Sequence, residues 1–472
     1  MSTTANRAGI YRKFSTLGAA IQRVDGNNTH SGNLSLRDPE DPDVFYITAS
    51  GSQSGALTPR DIVPLRFSRV SWGDARASSE SNVHRRILSL PGVRACIHCH
   101  HILCTVITFD SAEKQIFLTY LGKDKRGREE FLFQPVDLFG AYAARGVKVG
   151  TYRQPVGSAE MEERVPEYLA ESPLTLIRGH GPFCRGTSLE DCLYRLSVLE
   201  GSASLALNLR RRGVELGAIQ EKIMTGGPDS VFPLVPRLPA PGEPVTCQID
   251  DEATKADFAY WLHYNYNFRI GAYGTGSMSQ KVTAGAMIYC PMSAAPEGMD
   301  FPLNRLSLEP GEGDTADEAL HKLIYNNTNY RTCMITSSPL ATAEGMAVMA
   351  ETFGLDPLLG RRPDTPYTFE HHPVVVPIDA EAMYLNPRLG LVDMTELTDL
   401  SPGNPILSML RWHKGCCIVA GYGVISVGDT SLEQAAHNAA SAERIARFRM
   451  EVFLNQRVLG GPSLRSFEPR TP

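Results

Sequence analysis

Long apolar runs are what this 472-residue chain most clearly lacks. No stretch approaches the roughly 20 apolar residues of a membrane span, and Met1–Phe14 is too polar to hold the apolar centre of a secretory leader. Excess positive charge is missing as well. The 46 Lys and Arg against 52 Asp and Glu leave a net charge of -6, so there is no electrostatic footprint for nucleic acid or an anionic membrane. Cysteine is sparse at 10 residues, and Cys104, Cys184, Cys333, Cys416 and Cys417 lie in apolar runs, as reduced core thiols do. No disulfide framework is implied. These absences predict a soluble, cytoplasmic protein whose partner is a small molecule. What is present is an ordinary globular balance, 42% hydrophobic and 21% charged, in a chain long enough for two or three domains at about 150 residues each.

Between Pro228 and Pro244 lie Pro233, Pro236, Pro239 and Pro241 as well. So many missing N–H donors exclude helix and central strand and predict an extended linker. The segments on either side repeat each other in order. Gly32-Asn33-Leu34-Ser35 returns as Gly276-Ser277-Met278-Ser279, Glu80 and His84 as Asp317 and His321, Arg94-Ala95-Cys96-Ile97 as Arg331-Thr332-Cys333-Met334, and Gly179-His180-Gly181 as Gly421-Tyr422-Gly423. The predicted organisation is a first domain over 1–226, a linker over 227–248, a second domain over 249–460 and a tail over 461–472. In the first copy, periodicity predicts helices over 8–24, from Ser79 with Ser78 as N-cap, and over 188–212; strands are predicted near Leu34, over 44–48, over 93–100 and over 174–177. Alternating helices and strands predict a layered α/β (αβα) domain in two tandem copies.

The densest chemical cluster is Cys96-Ile97-His98-Cys99-His100-His101. Cys96-x-x-Cys99-His100 has the spacing of c-type haem attachment, but on a strand the two thiols point to opposite faces. A structural zinc finger lacks a second ligand pair at the needed spacing. A strand does place His98 and His100 on one face, as a two-pronged metal clamp. His180, between two glycines at a strand's carboxyl end, is the third candidate ligand. Glu80, on the helix leading into the His98 strand, is a fourth ligand or a proton carrier. His84 and His101 read as structural, the first because His321 repeats it and the second because alternation turns it away.

In combination, Gly32-Asn33-Leu34-Ser35, Thr48-Ala49-Ser50-Gly51, Ser78-Ser79-Glu80, His98-Cys99-His100 and Gly179-His180-Gly181 resemble the class II aldolase/adducin family. The resemblance implies a divalent ion, zinc or else Fe2+, Mn2+ or Co2+, on His98, His100 and His180, with Glu80 as ligand and proton carrier. It also implies an anion pocket of Asn33, Ser50, Gly51, Ser78 and Ser79, in which His30 stands where the family has Thr. In the second copy Ile335, Ser337 and Tyr422 replace the three histidines and Asp317 replaces Glu80, which predicts a degenerate domain without metal. The implied activity is that of a metal-dependent carbon–carbon lyase on a small hydroxy-carbonyl or keto-acid substrate. A non-haem iron oxygenase or decarboxylase and an adducin-like scaffold are the alternatives. The family's four-fold tetramers imply a homodimer that forms a pseudo-tetramer.

Overall fold

The computed structural model describes residues 4–27, 30–69, 76–225, 247–291, 300–359 and 367–460. The expected tail, and all of the expected linker but Cys247 and Gln248, lie outside them. Packing divides the chain into two compact units. Among the described residues, the first comprises those up to 134 and those over 143–203, and the second those over 135–142 and from 204 onward.

The first sheet has nine strands: β1 (Asn33–Arg37), β2 (Val44–Thr48), β3 (Ile62–Arg66), β4 (Ala95–His98), β5 (Leu118–Lys123), β6 (Glu129–Phe133), β7 (Val147–Gly150), β8 (Leu174–Ile177) and β9 (Gly181–Gly186). Their spatial order is β3-β2-β1-β4-β9-β8-β7-β6-β5. Every pair is antiparallel except β7–β8. All four residues of β4 are buried, as a run of Ala, Cys and Ile between two neighbouring strands requires. Register then fixes the site: Asn33 of β1 lies opposite His98, and His98 lies opposite Phe183 of β9.

Helices α1 (Thr4–Arg23), α2 (Ser81–Leu88), α3 (Ile102–Val106), α4 (Leu138–Ala143), α5 (Ala159–Glu171) and α6 (Leu189–Arg211) accompany this sheet in sequence. Val83, Ile87 and Leu88 of α2 meet Met161, Val165 and Leu169 of α5 over Phe45, Ile47, Val63 and Leu65. This one apolar cluster anchors the start of α2, and with it Glu80.

The second sheet repeats the plan with β10 (Ser277–Thr283), β11 (Ala286–Pro291), β12 (Asn304–Ser307), β13 (Thr332–Thr336), β14 (Val374–Val375), β15 (Leu389–Val392), β16 (Cys416–Val419) and β17 (Gly423–Gly428), ordered β12-β11-β10-β13-β17-β16-β15-β14. Ser277 lies opposite Ile335, repeating the Asn33–His98 register. The architecture is therefore layered α/β, built twice.

Two local expectations are corrected. The strand expected over 93–100 ends at His98, so His100 reaches the site from the turn beyond it. The backbone N–H of His100 donates to the Gly26 carbonyl (2.5 Å) and to Asn27 Oδ1 (3.3 Å). Helix α2 begins at Ser81 with Glu80 as its N-cap and no side-chain cap bond. Ser78 lies before that cap, in the turn that leads into the helix, where its Oγ accepts from the Glu80 N–H (3.3 Å) and from Asn33 Nδ2 (3.1 Å).

The β8–β9 turn places His180, and Gly181 makes that turn possible. Its φ is +149°, and a Cβ there would stand 2.3 Å from the Cys99 carbonyl oxygen. Gly423 repeats this, with its Cβ position 2.1 Å from the Thr336 carbonyl oxygen. Gly181→Ala is therefore expected to cost about 2–4 kcal/mol through backbone strain and overpacking. Denaturant unfolding checks this, and a loss under about 1 kcal/mol would show that the approach is not constrained.

Candidate metal centre

Three imidazoles converge where β4, the turn after it and the β8–β9 turn meet. His98 Nε2 lies 3.0 Å from His100 Nε2 and 3.2 Å from His180 Nε2. The Nδ1 of His98 is 2.9 Å from the Pro182 carbonyl, which can only accept, so Nδ1 carries the proton and Nε2 keeps its lone pair. The ring is also stacked on Phe183, at 4.0 Å between centroids and 11° between planes. Tautomer and orientation are thus set from the far side of the ring.

Burial drives all three imidazoles toward the neutral form. His98 is held well below its ordinary pKa by burial, with His180 and His100 adding to the effect. Burial lowers His100, and burial followed by His100 brings His180 to about 4. Neutral imidazoles present lone pairs that a divalent ion can take up. Glu80 completes the group, with Oε2 3.7 Å from His98 Nε2 and accepting from Asn33 Nδ2 (2.8 Å). Its Oε1 is buried and has no hydrogen-bond partner, and burial raises its pKa. Three imidazoles and a carboxylate are donors that fit zinc and its divalent neighbours.

The residues expected to bind an anion are linked in pairs. Asn33 bonds to Ser78 and Glu80, Ser50 donates its N–H to the Arg76 carbonyl (2.8 Å), and His30 Nδ1 lies 2.8 Å from the Gly51 carbonyl. Ser50, Gly51 and Ser79 are not buried. Asn33 holds Glu80 as well as bordering this region, a double duty its motif did not disclose.

A backbone contribution was invisible in the sequence. The loop over 151–158 brings the Gly157 amide to the Glu80 carboxylate and the Pro155 carbonyl to His180, opposing in each case the effect of burial. Gly157 packs tightly on Ser79, with 3.1 Å from its Cβ position to the Ser79 carbonyl oxygen. The loop's base is held by the buried Arg164, which donates to the Thr151 carbonyl (2.5 Å), Glu160 (3.2 Å) and the Tyr168 hydroxyl (2.7 Å). Backbone groups carry no side-chain signature, so no motif could have found them.

His84 and His101 keep structural places. His84 Nδ1 meets Ser35 Oγ at 2.6 Å, as His321 Nδ1 meets Ser279 Oγ at 2.6 Å. Buried His101 contacts Cys99 Sγ (3.3 Å). A second group, His101, Cys104 and Glu200, also lies close together. Its carboxylate is explained without an ion: Glu200 accepts from the N–H groups of Leu103 and Cys104 (both 2.8 Å), and Glu443 does the same for Leu340 (3.1 Å) and Ala341 (2.9 Å). Both acids cap helix N-termini.

The second unit fills the corresponding place with a hydrogen-bond network. The Tyr422 hydroxyl donates to Asp317, Ser277 Oγ donates to Asp317 Oδ2 (2.7 Å) and meets His321 Nε2 (2.9 Å). Burial raises Asp317 to about 6, against hydrogen bonds from Tyr422 and Ser277 that lower it.

The family model described as the Class II Aldolase and Adducin N-terminal domain matches residues 14–207 and 272–450. A methylthioribulose-1-phosphate dehydratase of Leptospira biflexa is 26% identical over an alignment of 184 residues that covers 36% of this chain and 82% of that protein. One from Microcystis aeruginosa is 30% identical over 194 residues, 40% of this chain and 87% of its own. Among solved structures, L-fuculose-1-phosphate aldolase from Thermus thermophilus is 27% identical, covers 43% of this chain and 95% of its own, and has a TM-score of 0.37.

Asp317 yields a pH test of the second network. An acid whose pKa is raised on folding contributes stability that is present below its unfolded value and is lost as pH rises through about 6. Asp317→Asn is therefore expected to gain on the wild type between pH 4 and pH 7.5, by about 1–3 kcal/mol. Parallel unfolding curves check this, and a difference independent of pH would contradict it.

Proposed function

The chain belongs to the class II aldolase and adducin family in both of its repeats, and from that premise we propose that its first repeat is a divalent-metal-dependent lyase acting on a small hydroxy-carbonyl substrate. The observation that carries the reading is the convergence of three neutral imidazoles beside a buried carboxylate. His98, His100 and His180 are the residues that would hold the ion, with Glu80 next to them. A divalent ion there supplies Lewis-acid polarisation of a carbonyl and neutralises charge that develops as a bond breaks.

The chain's own groups supply the rest. Glu80 moves the proton: it is oriented by Asn33, and its raised pKa suits a group that both takes and returns one. Short hydroxyls at Ser50, Ser78 and Ser79 and the Gly51 backbone suit an anionic end of the substrate, with His30 at their edge. Either phosphate or carboxylate has the needed acceptors. Pro155 and Gly157 close the loop side and limit water there. The second repeat, with Ile335, Ser337 and Tyr422 at the ligand positions, serves assembly in this reading.

Carbon–carbon cleavage is the leading reaction. The dehydratase names of the similar proteins favour a second, elimination of water, in which the proton lost is on the carbon beside the carbonyl and hydroxide leaves, whereas carbon–carbon cleavage begins at the proton of the β-hydroxyl; both develop enolate charge at the carbonyl oxygen. L-Fuculose 1-phosphate and methylthioribulose 1-phosphate are the probes that separate the two.

Elemental analysis is expected to find close to one divalent ion per chain, lost in a His98→Ala, His100→Ala double variant. Glu80→Gln should keep the ion and lose about 10²–10⁴-fold in kcat. Absence of metal from the purified wild type after metal supplementation would overturn the lyase reading in favour of a scaffold.

A further inference from the structure

The second unit holds a cavity that none of the repeated motifs contributes to. Its volume is about 300 Å³, and it is lined by Arg212, Gly213, Phe453, Gln456 and Arg457, all from the stretch after residue 204 that packs as that unit. The volume is at the lower end for a small-molecule site. The two family matches end at residues 207 and 450, so every lining residue lies outside the segments shared with the family. The helix Leu432–Leu459 has 28 residues, against 23 in its counterpart α6. Glu443 and Glu200 make the same cap contacts and so align the two helices. On that alignment the last residue of α6, Arg211, matches Leu454. Gln456 and Arg457 therefore belong to an extra turn that this chain adds, and with Phe453 they share one helix face.

The charges at the cavity do not balance. Arg212 is fixed in its wall: the side chain is 3% exposed, Nη2 donates to Glu351 (2.8 Å), and Nη1 lies 3.4 Å from Glu344. Its Nε is buried without a hydrogen-bond partner. The Arg212 guanidinium carbon stands 4.9 Å from the centroid of the Phe453 ring, and that of Arg457 stands 5.7 Å from the same centroid. Two cations thus share one aromatic ring. Glu344 also accepts from Arg449 Nε (2.7 Å), so three guanidiniums meet two carboxylates, both of them already on Arg212. The surplus charge is on Arg457, which is exposed. Arg457 donates Nη1 to the Arg211 carbonyl (2.9 Å) and pairs with no carboxylate among the described residues. That bond occupies one of the five N–H groups of its planar fork. Gly213, at φ +86° and with nothing within 4 Å of its Cβ position, adds no side chain to fill the space.

We propose that this cavity is a binding site for a small phosphorylated molecule, with its phosphate on Arg457 beside Arg212 and its carbon skeleton against Phe453. A guanidinium fork matches phosphate oxygens in pairs, and phosphate supplies the negative charge that two guanidiniums on one ring lack. The second repeat then has a ligand of its own, held by residues remote in sequence from the candidate metal ligands. The proposal does not rest on the lyase reading.

Phe453→Trp keeps an aromatic ring between the two arginines and makes it a local reporter. Titration of the full chain with sn-glycerol 3-phosphate, at ionic strength held constant with chloride, is expected to give a saturable change in its emission. The same titration in Phe453→Trp, Arg457→Gln, where the three native tryptophans are unchanged, should show binding weaker by about tenfold or more. Inorganic phosphate should bind the reporter chain more weakly than the ester does. No saturable change, or equal affinity with and without Arg457, overturns the site. Equal affinity for the ester and for inorganic phosphate assigns the cavity to free phosphate and overturns the claim for an organic ligand. If Phe453→Trp does not fold, thermal unfolding of the wild type and of Arg457→Gln decides the matter. The rise in Tm with glycerol 3-phosphate should be smaller in the variant, and an equal rise in both overturns the proposal.

Discussion

The Nε2 atom of His98 is held about 3 Å from the Nε2 atoms of both His100 and His180, and much of the first unit is arranged to enforce that convergence. The β8–β9 turn must come so close to the end of β4 that a single added methyl at Gly181 would run into the Cys99 carbonyl. Pro182 and Phe183, the next residues of β9, then hold His98 by hydrogen bond and by stacking. One short stretch of chain therefore supplies a candidate ligand, His180, and orients another. The apolar cluster beneath α2 and α5 delivers Glu80 to the same point. Desolvation keeps the imidazoles neutral and raises the carboxyl, which suits both for the work of binding a cation and shuttling a proton.

The second repeat serves as an internal control. Contacts that occur in both repeats belong to the scaffold: the close approach at Gly181 and Gly423, the His84–Ser35 and His321–Ser279 pairs, and the helix caps by Glu200 and Glu443. Contacts that differ carry what is particular to each repeat. Where the first has three imidazoles, the second has a phenol bonded to a buried acid, a network that is satisfied without an ion. The same comparison removes the His101, Cys104 and Glu200 group from consideration, since its carboxylate has a structural duty that needs neither sulfur nor imidazole.

The repeat, the layered α/β class and the placement of His98, His100, His180 and Glu80 near one another were legible because they rest on residue identity and order. Spacing alone placed Gly179 and Gly181 around a histidine, and a histidine so flanked has few other uses. What escaped the sequence was backbone. Strand β4 stops at His98, so His100 arrives by way of a turn held by Gly26 and Asn27, and simple alternation gave the right convergence for a partly wrong reason. Ser78 looked like the helix cap because its type is right for one, but the helix begins later, at Ser81, and the Ser78 hydroxyl serves the turn before it. The contributions of Pro155, Gly157 and Pro182 come from carbonyl and amide groups of the main chain, which no side-chain pattern announces.

X-ray absorption at the metal edge of the protein as purified tests the central claim most directly. The account predicts a divalent ion whose nearest neighbours are three imidazole nitrogens and oxygen, with the imidazole scattering lost when His98 and His100 are replaced by alanine. An ion bound through sulfur, or nearest neighbours unchanged by those substitutions, would contradict it.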